Sequence, residues 1–126
     1  RFLAFTNARS YLGPSYSAMV STLKYDTDIT NQEMQNRMFW QEKVDAIILD
    51  LNVFRYYRNS LATEIATTED IDVHRIFSQH DNERAAAFRD PKVRDDFDKA
   101  LATLKANGQY QKILDKYLHV RPITPQ

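Results

Sequence analysis

A chain of 126 residues fits one domain with a single modest core, and its 17 basic and 17 acidic side chains cancel and alternate along its length. No basic face therefore recommends nucleic acid as a partner. The lack of any cysteine excludes disulfides, thiolate metal sites and a cysteine nucleophile.

Residues 2–6, apolar as far as Phe5 and with two phenylalanines, read as a buried strand. That strand opens abruptly after Arg1, with no apolar leader, and so we expect a piece of a longer protein. Asn7, Ala8, Arg9 and Ser10 then break the pattern, Gly13 and Pro14 break it again, and a strand-to-helix turn fits both. Pro14 suits a first helical turn, after which Tyr16, Met19, Val20 and Leu23 mark one helix face.

Thr30 or Asn31 next offers an N-cap, Glu33 sits in the first turn, and Met34, Met38 and Phe39 fall on one side of a second helix. It feeds a strand at residues 44–49, whose uncharged Ala46, Ile47, Ile48 and Leu49 lie between Asp45 and Asp50. Val53, Phe54, Tyr57 and Leu61 then repeat helically, giving strand, helix, helix, strand, helix, the order of an α/β fold with crossover connections. A further strand is expected at residues 73–77. From Asp90 the pattern is helical: Asp90 caps, Pro91 starts, and Val93, Phe97, Ala100, Leu101 and Leu104 form a stripe that Asn107 and Gly108 end. A last helix carries Tyr110, Ile113, Leu114, Tyr117 and Leu118, and Pro122 and Pro125 exclude helix beyond it.

Asp50 is the sharpest candidate for chemistry. At the carboxyl end of a strand in an open α/β sheet it stands where such folds bind ligands, and a carboxylate there accepts hydrogen bonds from an ammonium group. The plainer role is N-cap of the helix that follows, and the two can coexist. The turn at residues 7–10 is the second candidate. Its backbone N–H groups, the Ser10 hydroxyl and Arg9 offer a hold for a carboxylate or phosphate, against the plainer alternative of an ordinary connection with Arg9 in water. Tyr11 and Tyr16 are the aromatics nearest this turn; packing in the core is the default for each, and a lid over a ligand is the alternative. With only Gly13 and Gly108 there is no glycine-rich phosphate loop, and His74, His80 and His119 lack metal-site spacing. No metal and no cofactor are expected.

Three stretches together carry a resemblance. "DPKVRDDFDKALATLKANGQYQKILDKYL" resembles the closing segment of the type 2 extracellular solute-binding proteins of bacterial ABC importers. "FLAFTNARSYLG" and "KVDAIILDLNVFRYY" are similar to that family's second-lobe opening strand with its turn, and to its later strand with a terminal aspartate. The resemblance implies an α/β second lobe at residues 1–80 and, at residues 81–126, two helices that pack on a first lobe absent from this chain. It implies a non-enzymatic role: capture of a small polar, amino-acid-like solute by closure of two lobes, and delivery to an ABC permease in the membrane. The place would be periplasmic or extracellular, with a lipoprotein anchor compatible. Asp50 matches the aspartate that pairs with the ligand's ammonium. Ala8, Arg9 and Ser10 occupy the place of a Gly-Thr-Thr-like turn that holds its carboxylate, so Ser10 and Arg9 inherit that role, although Arg9 and the missing glycine depart from the pattern. Two alternatives on the same scaffold are a cyclic-acid dehydratase, for which no general acid or base is evident near the first turn, and the ligand-sensing module of a signalling receptor.

Overall fold

The computed structural model describes residues 1–23, 28–74 and 85–119. The chain divides into two units, Arg1–Asp72 and Val73–Gln126. The expected boundary at residue 80 lies outside the described residues.

The first unit is mixed α/β: β1 (Phe2–Phe5), α1 (Ala8–Ser21), β2 (Asp28–Ile29), α2 (Gln32–Trp40), β3 (Ala46–Ile48) and α3 (Leu51–Leu61). Its three strands are parallel, in the order β2-β1-β3. The chain thus steps to one side of β1 and then back across it. Right-handed crossovers in opposite directions require α1 and α2 to cover opposite faces of the sheet. Burial agrees: Leu3 and Ala4 point to opposite faces of β1 and both are buried. α2 packs on β1, β3 and α3. There Phe39, Trp40 and Phe54 form an aromatic cluster, Trp40 stacking on Phe54 at 5.7 Å between ring centres.

Several expectations are corrected. The strand β2 was missed, because two residues are too few to show an alternating pattern. The turn at residues 7–10 is shorter than expected, since helix α1 already begins at Ala8 and continues past the expected start at Pro14. Gly13 makes that continuity a kink: its φ of 83° and ψ of −173° belong to a region that essentially only glycine occupies. Beyond the adjoining backbone, no described atom stands within 4 Å of the place a Cβ would take, so the penalty of a side chain there is conformational. Gly13→Ala should therefore destabilise the protein by about 1–3 kcal/mol in urea unfolding.

Helix α2 is also rotated relative to its apolar pattern. Met34 is exposed, whereas Gln35 and Asn36 are buried. Of the expected face of α1, Tyr16 and Val20 are buried but Met19 and Leu23 are exposed. On α3, Phe54 and Leu61 are buried as the spacing predicts, and Arg58 joins them. Arg37 bridges Glu33 and Glu64 at 3.2 and 2.9 Å, and these carboxylates, Glu64 foremost, hold its guanidinium above the usual arginine range. Such solvent-facing pairs add little to stability.

In the second unit the described elements are α4 (Pro91–Ala106) and α5 (Gln109–Leu118). The Asp90 carboxylate accepts the Lys92 N–H at 2.8 Å, Pro91 occupies the first turn, and Gly108, at φ 77°, makes the sharp reversal between the helices. The two helices pack on each other, yet neither contains a buried residue. Val93, Phe97, Tyr110, Ile113 and Tyr117 are exposed. Of the strand expected at residues 73–77, Val73 and His74 adopt no regular structure, and the rest lies outside the described residues, as do His80, Pro122 and Pro125.

Candidate functional site

The strand order puts a topological switch point at β1 and β3. The chain leaves β1 towards α1 on one face of the sheet and leaves β3 towards α3 on the other, the arrangement at whose carboxyl edge open α/β sheets place their ligand crevices. Ala4 pairs with Ile48 in the β1–β3 register. Two residues further on, Thr6 and Asp50 leave neighbouring strands, and so the register brings the first turn and the central aspartate to one edge of the sheet.

Asp50 has extended geometry, φ −64° and ψ 134°, and caps α3. Its Oδ1 accepts the backbone N–H groups of Asn52 at 2.8 Å and Val53 at 3.2 Å. The Asp50 carbonyl accepts the Phe54 N–H at 2.9 Å and so closes the first helical turn. The residue is exposed, and its Oδ2 has neither a hydrogen bond nor an ion pair among the described residues. Capping therefore uses one oxygen of the carboxylate and leaves the other facing water.

The first turn is built differently. Asn7 adopts a left-handed conformation at φ 67°, a region that asparagine tolerates better than most residues, and its side chain makes no cap. Its N–H instead donates to Asp28 Oδ2 at 3.2 Å, and Thr6 Oγ1 donates to Thr30 Oγ1 at 3.1 Å, tying the turn to the β2 side. The N–H groups of Ala8, Arg9 and Ser10 thus open a helix that no side chain caps. Ala8 is wholly buried and Ser10 is exposed. Arg9 is laid back along α1: its Nη1 donates to Ser21 Oγ at 3.1 Å, and its carbonyl accepts the Ser17 hydroxyl at 3.2 Å. Ser21, twelve residues on, lies beyond any local reading of the turn.

Of the two tyrosines near this turn, Tyr16 is buried in the core. Tyr11 is 55% exposed and meets Phe5 edge-on, with ring centres 6.0 Å apart. The described edge thus presents a half-engaged carboxylate, paired threonine hydroxyls and one exposed aromatic ring. This set suits hydrogen bonding to a small polar molecule, with an ammonium group as the natural complement of Asp50. Sequence reasoning missed Asp28 and Gln35 and named Thr30 only as a cap candidate; the tertiary pairing of β1 with β2 and of α2 with the sheet gives all three their significance.

Among the described residues no group of three or more histidine, aspartate or glutamate side chains could hold a metal ion, and no helix is long and apolar enough to cross a membrane. No protein-family model matches the chain, and neither the curated proteins nor the solved structures include a match to it.

Proposed function

We propose that the chain is the second α/β lobe, with C-terminal helices, of a type 2 solute-binding protein serving a bacterial ABC importer in the periplasm or outside the cell. It captures a small polar, amino-acid-like solute and presents it to a membrane permease, and no bond is made or broken. The observation that carries this reading is Asp50: an exposed carboxylate at the carboxyl end of β3, beside the switch point, with Oδ2 unengaged among the described residues. Its ammonium partner would come with the solute. Contacts from a second lobe would then favour the closed state only when solute is present. Arg9, held on Ser21, is the weaker part of the inherited carboxylate site, which leaves the Ser10 hydroxyl and the turn's N–H groups for that role.

Native mass spectrometry of the full-length protein purified from its source tests the reading. A small amine-bearing molecule of fixed mass, retained through purification and released on denaturation, is the expected result. Preparations that carry none, combined with no rise in melting temperature against any of the standard L-amino acids, would reject it.

A further inference from the structure

Gln35 breaks the pattern of its own helix. It lies where a helix packs on a sheet, a place suited to an apolar side chain, and it is wholly buried. Its Nε2 donates to the Leu3 carbonyl on β1 at 3.0 Å and to the Ile48 carbonyl on β3 at 3.2 Å. Both amide hydrogens are thereby used, one on each of the strands that flank the switch point. Its Oε1 is buried and has no hydrogen-bond partner among the described residues. An isosteric apolar residue would avoid that unsatisfied acceptor.

We propose that Gln35 is the positioning residue of the ligand crevice, a carboxamide clamp that fixes the end of β3 against β1 and so sets where Asp50 stands. The inference rests on the functional reading above in what the crevice is for, but the clamp itself can be tested without a ligand. Ile48 ends β3 two residues before Asp50, and Leu3 lies within β1 one residue before the last rung of the pair, so the clamp holds the end of β3 onto the body of β1. Leu3 and Ile48 both belong to the β1–β3 ladder, whose last rung is Ala4 with Ile48, so the side-chain bonds tie the two strands together at the final rungs before they separate. Sites where a local rule is broken at a cost are where functional demands are expected to show.

The first measurement uses the unmodified protein. Both Hε2 protons of Gln35 should exchange with solvent at least a hundredfold more slowly than those of an exposed glutamine such as Gln111. Exchange at the rate of exposed amides would show that the clamp does not form and would overturn the proposal. The second compares Gln35→Met, which keeps length and volume but removes both donors. Amide exchange at Asn52 and Val53, whose N–H groups the Asp50 carboxylate caps, should rise about tenfold, while that of Val20, across the sheet on α1, stays within twofold. A uniform rise would mean a purely structural role and would sink the inference; so would no change at Asn52 and Val53. If Gln35→Met does not fold, the exchange of the native Hε2 protons alone decides whether the clamp exists. Slow Hε2 exchange together with absence of any bound amine would reject the solute-binding reading and leave the clamp standing, so the two failures are distinguishable.

Discussion

Asp50→Asn should leave folding stability unchanged to within a few tenths of a kcal/mol while weakening solute binding at least tenfold. Asparagine caps helices about as well as aspartate, and its Oδ1 can accept the same Asn52 and Val53 N–H groups. What it lacks is the negative charge on the oxygen that the cap leaves unengaged. A hydrogen bond to a charged group contributes roughly 1.5–3 kcal/mol, and about 1.4 kcal/mol corresponds to a factor of ten in affinity. Asp50→Ala removes both functions: it should lose as much affinity and about 1 kcal/mol of stability as well, because two first-turn N–H groups lose their acceptor. Calorimetry of the two variants with the co-purified solute, alongside urea unfolding, separates the roles. Wild-type affinity in Asp50→Asn would reduce Asp50 to a cap.

Arg58→Met should destabilise the first unit by about 3 kcal/mol, the largest stability effect expected of any single substitution considered for this chain. Arg58 is buried on α3, with Nε donating to the Thr67 carbonyl at 2.8 Å and Nη2 reaching the Glu69 carbonyl at 3.4 Å. Thr67 returns the contact, its hydroxyl donating to the Arg58 carbonyl at 3.1 Å. The guanidinium carbon also lies 5.3 Å from the centre of the Trp40 ring, itself stacked on Phe54. One side chain thus fastens the segment after α3 to the aromatic cluster beneath α2 and α3. Methionine fills the volume but leaves the Thr67 and Glu69 carbonyls without their donors. Arg58→Lys should recover only a part, because an ammonium cannot reach two carbonyls in a fixed plane while stacking on the indole. Urea unfolding checks both, and a loss under about 0.5 kcal/mol in Arg58→Met would show that the clasp contributes little.

Local signals made most elements legible. Asp90, Pro91 and Gly108 mark the ends of α4 by capping chemistry that depends on near neighbours alone, and Asn31 proves to be the cap of α2 by accepting the Met34 N–H at 3.0 Å. Asp50 was legible for the same reason: an acid between a short apolar run and a helical repeat has a local meaning. What was not legible depends on partners distant in the chain. Periodicity put Met34 on the inner face of α2, but the strand carbonyls reward a donor, so Gln35 turns inward instead. Arg58 reads as a surface charge until Thr67, Glu69 and Trp40 surround it. Arg9 looked available to a ligand because nothing near it in sequence suggested Ser21 as its partner. β2 is two residues long and exists only by pairing with Ala4 and Phe5.

The α4–α5 hairpin bears on what kind of object the second unit is. Its ends and reversal are written into the sequence, yet it only half-buries Leu101, Leu104, Leu114 and Leu118 and fully buries no side chain, and helices of 16 and 10 residues are near the length at which isolated helices barely hold in water. Shape and persistence thus have separate origins here: the first is encoded locally, while the second is conditional on shielding of Val93, Phe97, Ile113 and their neighbours. The hairpin is accordingly the part of the molecule whose helicity should respond most to its surroundings and least to changes within its own sequence.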